Sequence, residues 1–279
     1  MPKRRRLPLK LSGLTWVLAA FGAGAVSAAS APGARAEEAR LHVGDALPRF
    51  SLLTPGVHRY VRYQIEGEKR TVIDLWSRRV SFEQKDGRAL LHLSQRWDEV
   101  NVKPGGAQSL EQDSWFEPST FRPLTHVRRV TRDDKVTQGG YRFLPDKVVG
   151  MSELPDNLRR DFSLAYAEPA YNFEYDMELL QTLPLAEGYV ANIEFYDAGV
   201  DPKADRYVFK VAGSDRIRSW AGAPVDCWLV TADYNTGKVV SRFWFDKHSQ
   251  VLVREEQVQA DGSTLVKALL PPESSDAKG

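Results

Sequence analysis

Trp115-Phe116-Glu117-Pro118-Ser119-Thr120 and Trp244-Phe245-Asp246-Lys247-His248-Ser249 are two settings of one phrase: an aromatic pair, an acid, then residues that favour turns. An extended run follows each, Leu124 to Val130 in one case and Leu252 to Val258 in the other. The reading is strand, tight turn, strand, made twice. Glu117 and Asp246 could be paired carboxylates for acid–base work. An acid at a hairpin mouth more commonly accepts hydrogen bonds within the turn, and that role is expected of both.

Outward from the phrase, alternation with period two dominates. Val61, Tyr63 and Ile65 alternate with Tyr60, Arg62 and Gln64; Leu91, Leu93 and Trp97 with His92, Ser94 and Arg96; Tyr207, Phe209 and Val211 with Val208 and Lys210. A strand that packs one face and solvates the other has this pattern, so half-buried strands of an antiparallel sheet are expected. Glu66-Gly67, Asp86-Gly87, Gly213-Ser214, Asn235-Thr236-Gly237 and Asp261-Gly262 each separate two extended runs, as hairpin turns do. Gly139-Gly140 and Pro104-Gly105-Gly106 also read as turns. Asp74 shares a face with Val72 and Trp76, solvated or hydrogen-bonded inside. Arg78-Arg79 and Arg128-Arg129, flanked by acids, read as solvated strand faces.

One stretch departs from alternation. From Leu154 to Leu183 the spacing is helical: Leu158, Phe162 and Tyr166 recur every four residues. After Pro169, Asn172 can cap a second helix with Glu174 and Asp176 in its first turn. Met177, Leu180 and Leu183 form its apolar stripe, and Pro184 ends it. The fold expected is therefore mainly β: a long curved antiparallel sheet, an open or half barrel, with a two-helix segment across its concave face. One β-rich domain covers residues 37–270, its strand groups 41–149 and 189–270 joined by the helical segment 152–183. The stripe either packs on the sheet or forms a movable cover over a cavity. The polar tail, residues 271–279, is expected to be disordered.

The first 36 residues read as a secretory signal. Lys3, Arg4, Arg5, Arg6 and Lys10 make a positive start, Leu14 to Val26 an apolar stretch too short to span a bilayer, and small residues follow. Cleavage after Ala36 is expected first, after Ala28 or Ala29 second. No Cys lies near these sites for lipid attachment. The expected location is periplasmic, with no retained transmembrane segment. The six basic residues before Glu37 have no acid among them, so the mature chain is mildly acidic and carries no electrostatic footprint for nucleic acid. Cys227 is the one cysteine, so stability must come from the core. It shares a strand face with Val225 and Leu229, the setting of an inert buried thiol.

No motif for catalysis emerges. The five histidines form no metal-ligating spacing, no Gly-x-Ser-x-Gly elbow is present, and the glycine-rich places lack the strand–loop–helix context of a phosphate loop. No cofactor is implied. The aromatics remain: Trp76, Trp97, Trp115, Trp220, Trp228 and Trp244 all lie in strand-like runs, and with Met177 and Leu180 they are the candidates to line a groove for an apolar ligand.

The order of these motifs carries a resemblance. Trp115 to Pro123, then Leu179-Leu180-Gln181-Thr182-Leu183-Pro184-Leu185-Ala186-Glu187-Gly188, then Tyr207 to Gly213 and Phe243-Trp244-Phe245-Asp246 resemble the bacterial family called domain of unknown function 3108 over residues 108 to 270. Phe243 to Asp246 followed by Val251-Leu252-Val253-Arg254 resembles, over a shorter stretch, the LolA/LolB lipoprotein-carrier fold, in which an incomplete antiparallel barrel holds acyl chains. Neither resemblance implies a catalytic residue. The function expected is a non-catalytic periplasmic binding or carrier protein for an apolar envelope component such as a lipid or acyl chain. The alternatives are an envelope hydrolase whose residues converge only in the fold, and a scaffold that presents a sheet edge to an envelope protein partner.

Overall fold

The structure is a computed structural model that describes residues 38–272 except 86, 101, 103–104, 200–202 and 235–239. The expected signal, the last seven residues of the expected tail and the Asn235-Thr236-Gly237 turn lie outside the described residues. The early strands are β1 (Glu38–Leu41), β2 (Gly56–Glu66), β3 (Lys69–Lys85), β4 (Arg88–Glu99), β5 (Ser109–Phe116), β6 (Pro123–Arg132), β7 (Lys135–Phe143), β8 (Lys147–Gly150), β9 (Ser163–Ala165) and β10 (Tyr171–Asn172). The one α-helix among the described residues, α1 (Asp176–Gln181), precedes β11 (Val190–Tyr196), β12 (Asp205–Arg218), β13 (Pro224–Ala232), β14 (Ser241–Asp246), β15 (Leu252–Val258) and β16 (Thr264–Leu269).

All sixteen strands belong to one sheet that does not close into a barrel, in the order β1-β11-β12-β13-β14-β15-β16-β2-β3-β4-β5-β6-β7-β8-β9, with β10 also on β11. Hairpins give most neighbours their antiparallel sense. The late and early groups meet where β16 pairs antiparallel with β2, Val266 opposite Tyr63. The expectation of a wholly antiparallel sheet is corrected: β1 and β10 both pair parallel with β11. β10 reaches β11 through α1, the crossover a parallel neighbour needs, and β1 arrives from far away in the chain, where no hairpin dictates direction.

The repeated phrase builds the same joint twice. In each copy the ladder shifts register by a β-bulge inside the aromatic pair, between Trp115 and Phe116 and between Trp244 and Phe245. Phe116, Phe243 and Phe245 face inward to the main core, while Trp115 and Trp244 face outward. Asp246 takes the expected turn role: its Oδ1 accepts from the Ser249 N–H at 2.6 Å and the His248 N–H at 3.0 Å. Glu117 binds its turn through side chains instead, accepting from Thr120 Oγ1 at 3.4 Å and pairing with Arg122.

Three turn or helix expectations are overturned. Residues 152–183 hold one short helix, not two. The 3-10 turn Phe173–Tyr175 and α1 follow Asn172, whose Oδ1 accepts the Glu174 N–H at 3.2 Å, as anticipated for the second helix. The first helix is absent. Asp156 has φ of 50°, and the Asn157 side chain ties this loop to Gly140 N, Gly140 O and Met151 O at 2.9, 3.0 and 2.9 Å. These bonds hold the loop as turns flat against β7 and β8, and Leu158 stands 71% exposed. Gly139-Gly140 are consequently strand residues of β7, not a turn. Gly150 is required by the same contact, since a Cβ there would meet Arg159 O at 1.8 Å. Gly213-Ser214 likewise lies within β12, paired with Leu229 and Trp228 just after a bulge at Ala212.

The sheet wraps its inner face around residues 171–185. Leu91 of β4, Phe116 of β5, Phe209 of β12, Phe243 of β14 and Leu252 of β15 share one core with Tyr175, Leu179 and Leu180. The helical segment is thus a plug, packed rather than poised above the sheet. Its ends are held by the two joints: Tyr175 donates its hydroxyl to Phe121 O at 2.7 Å, and Gln250 Nε2 donates to Gln181 O and Leu183 O at 2.6 and 2.8 Å. On the outer face, Cys227 packs with Trp244 and Val253, and burial there pushes its thiol up to about 12.

Candidate functional site

A polar row crosses the inner face. Arg78, Gln95, Gln112 and Arg128 lie opposite one another on β3, β4, β5 and β6. Reading Arg78 as solvated is corrected: it is 1% exposed, while Arg79 is exposed. Arg78 shares the parity of Trp76 and Val80, so once that face is covered its guanidinium must find partners inside. It pairs bidentately with Glu178, donates to Gln95 Oε1 at 2.6 Å and reaches Glu174 O at 3.0 Å. Gln95 and Gln112 complete the row, donating to Glu174 O at 2.9 Å and to Glu174 Oε1 at 2.7 Å. Asp74 is fully buried against Arg62, at 2.8 Å from its Nε, and Val72 turns to the other face because β3 carries an extra residue there.

The plug leaves one side of this face unfilled. There a cavity of about 360 Å³ is lined by Trp76, Arg78, Phe173, Glu174, Asp176, Asp197, Tyr207, Tyr234, Glu255, Gln257 and Lys267. Its aromatic wall is a cluster of edge-on rings, Phe173 to Tyr234 at 5.7 Å, Phe173 to Tyr207 at 5.8 Å and Tyr207 to Tyr234 at 5.2 Å. Opposite, Trp76 lies against Trp97 at 4.8 Å, with Lys267 Nζ over its ring at 4.3 Å.

Charge in the cavity is unevenly matched. Arg78 is bound to Glu178 and Lys267 to Glu255, so the two lining cations are each paired. Glu174 accepts from Gln112 Nε2 and Asp176 from the Met177 N–H, the latter at 2.7 Å, and nearby cations, Arg128 first for Glu174 and Lys267 first for Asp176, act on them through space. Both residues are half-buried and line the cavity. Burial raises the Asp176 carboxyl to about 7, Lys267 and Arg78 pulling it down and Glu255 and Glu178 pushing it up. Burial also raises Glu174, against the pull of Arg128 and the Gln112 bond. No group of three or more metal-ligating side chains occurs among the described residues.

The sequence candidates divide by face. Trp76 lines the cavity and Trp97 backs it; Met177 and Leu180 are buried in the plug, Met177 Sδ lying 3.8 Å from Lys267 Nζ. Trp228 is half-buried against the core beneath Lys247. Trp115 is stacked on His92 at 4.0 Å on the outer face, Trp244 donates to Asp215 Oδ2 at 2.8 Å on that face, and Trp220 is 53% exposed on a hairpin tip near Tyr63. Glu174 and Asp176 were legible only as helix-start acids. Lys267, between buried Val266 and Ala268, and Glu255 carried no signal beyond strand parity.

Fold and cavity together define a class: an open, plug-filled β-sheet protein with a small pocket lined by aromatic rings and charged side chains. The chain belongs to the family described as protein of unknown function (DUF3108), whose model matches residues 60–269. The match starts well before residue 108, where the sequence resemblance begins, and takes in β2 to β4, which are continuous with the later strands in the sheet. No curated protein matches the chain. The likeness of Phe243–Arg254 to the LolA/LolB carriers is not confirmed by that match. No helix among the described residues is long and apolar enough to cross a membrane.

Proposed function

We propose that the protein is a non-catalytic binding or carrier module for a cell-envelope component, exported to the periplasm, with the cavity under Trp76 as the ligand seat. The observation that carries this reading is the cavity itself: a preformed hollow of ligand size, lined by both aromatic and charged side chains, in a sheet whose remaining inner face is packed. The basic and apolar character of residues 1–36 supports export. Since side chains fill the rest of the inner face, the ligand is a compact amphipathic molecule or the head of a larger one, not an acyl chain buried along the whole sheet.

The test is native mass spectrometry of the protein purified from its own periplasm, followed by extraction. A co-purifying small molecule is expected, and Tyr234→Ala, which opens the aromatic wall, is expected to lose it. Ligand-free protein from every preparation, with no change in denaturation midpoint on adding envelope extract, sinks the reading. One observation favours an envelope hydrolase instead: a carboxyl that titrates near neutrality beside a second acid is what general acid catalysis uses. Turnover of an envelope ester or glycoside that disappears in Asp176→Asn decides for it.

A further inference from the structure

A second hollow, of about 340 Å³, lies over β6 and β7 and shares no lining residue with the cavity under Trp76. Its lining includes Arg128, Arg132, Tyr141, Leu158 and Arg159, and no acid. Gly139 stands directly opposite Arg128 in the β6–β7 ladder, and Arg159 fills the place of its missing side chain, with Cγ 3.2 Å from where a Cβ would be. Two like charges thus occupy the position of a cross-strand pair, which destabilises a sheet when nothing offsets them. The fold pins them there: Asn157, which ties its loop to Gly140 and Met151, also accepts the Arg159 N–H at 2.9 Å. Among the described residues no carboxylate comes within ion-pair distance of Arg128, Arg132 or Arg159, whereas the adjacent Arg129 pairs with Asp113 at 2.6 Å on the outer face. The acids that act here through space, Glu174 on Arg128 and Asp197 on Tyr141, line the other cavity. Arg159 and Arg128 also meet at one group. Burial raises the Tyr141 hydroxyl, and first Arg159 and then Arg128 pull it back down, so both cations act on the same phenol. That phenol is closely seated, since a Cβ on Gly199 would meet its oxygen at 1.8 Å.

We infer that this second hollow is an anion seat that takes the phosphate group of an ester, held between the guanidinium groups of Arg128 and Arg159. The planar fork of arginine matches phosphate oxygens, and a doubly charged group offsets both cations and removes their repulsion. Arg132, exposed in the same lining, adds a third positive charge to draw the anion in. Leu158, 71% exposed, gives the carbon part of the ester an apolar contact beside the charges. This seat is separate from the cavity under Trp76, and the inference does not rest on the function proposed for that cavity.

The experiment is calorimetric titration of the purified protein at low salt with glycerol 3-phosphate, inorganic phosphate and acetate. Both phosphates are expected to bind. Arg159→Met and Arg128→Met, which keep the apolar stem and remove the charge, are each expected to weaken them by about tenfold or more. Arg79→Met, which removes an equal charge from an exposed position on the other face, is expected to leave binding unchanged. Without ligand, Arg159→Met is expected to unfold at a urea concentration no lower than the parent does, which separates a lost site from a lost fold. Sedimentation with phosphatidylcholine vesicles, with and without phosphatidic acid, identifies the source. Pelleting that needs both phosphatidic acid and Arg159 marks a lipid headgroup, and binding of the soluble ester without such pelleting marks a free one. Equal phosphate affinity in the parent and both variants, or no phosphate bound by the parent in either assay, overturns the anion seat. Acetate that binds as tightly as glycerol 3-phosphate overturns the choice of phosphate. Neither result touches the cavity under Trp76, which its own mass-spectrometric test decides.

Discussion

At the scale of single residues, Asp176 and His126 pull the stability of this protein in opposite directions with pH. The Asp176 carboxyl titrates at about 7 in the fold, above the 3.8 of an unperturbed aspartate. Between those values the folded chain holds a proton that the unfolded chain has lost, so stability falls as pH rises from about 4 to about 7 and then levels. His126 is fully enclosed, within 2.9 Å of Ser114 Oγ, and burial with Arg128 nearby drives it down to about 3. Its neutral form contributes stability above pH 6.5 that is lost as pH falls toward 3. Asp176→Asn removes the first effect alone. In denaturant titrations the variant is expected to be more stable than the parent by about 2 kcal/mol at pH 8, the gain vanishing near pH 4.

At the scale of elements, the plug is too short to be a stable helix unaided, since six residues make fewer than two turns. It is ordered by what it touches: two hairpin joints at its ends and the polar row beneath it. Arg78 is the centre of that row, joined to a glutamate one hundred positions away. Removing it leaves Glu178 buried without its partner, the expensive half of a broken ion pair. Arg78→Met is therefore expected to cost about 3–5 kcal/mol, whereas Arg78→Met combined with Glu178→Leu costs much less, and a double-mutant cycle measured by denaturant unfolding reads the difference. The failed first helix belongs to this scale too. Leu158, Phe162 and Tyr166 have helical spacing, but Asn157 offers the backbone of β7 a better set of bonds than a helix turn would.

At the scale of the molecule, the late strands do not form a unit separate from the early ones. β16 pairs with β2 along six residues, and the plug draws on both groups, through Arg78 on one side and Gln250 on the other. Unfolding is thus expected to be one transition: tryptophan fluorescence and far-ultraviolet circular dichroism should give the same midpoint in urea, and two separated midpoints would show that the halves fold independently.

Strand and turn positions were open to reading from the chain because alternation and turn chemistry depend on neighbours a few residues apart. Trp115-Phe116-Glu117 and Trp244-Phe245-Asp246 announced two strand–turn–strand joints, and Asn172 announced the start of the plug. The local code also carried the order of motifs that places the chain in its family. The joints' common bulge, the parallel pairing of β11, the burial of Arg78 and the meeting of Glu174, Asp176, Glu255 and Lys267 beside Trp76 were not legible. Each depends on which face of a distant strand is covered, and a charged residue looks alike in sequence whether its strand face meets water or a plug folded back from a hundred residues away. The repeated phrase set the joints of the sheet; the cavity exists because the plug leaves one side of the inner face, across β12, β15, β16 and β3, unfilled.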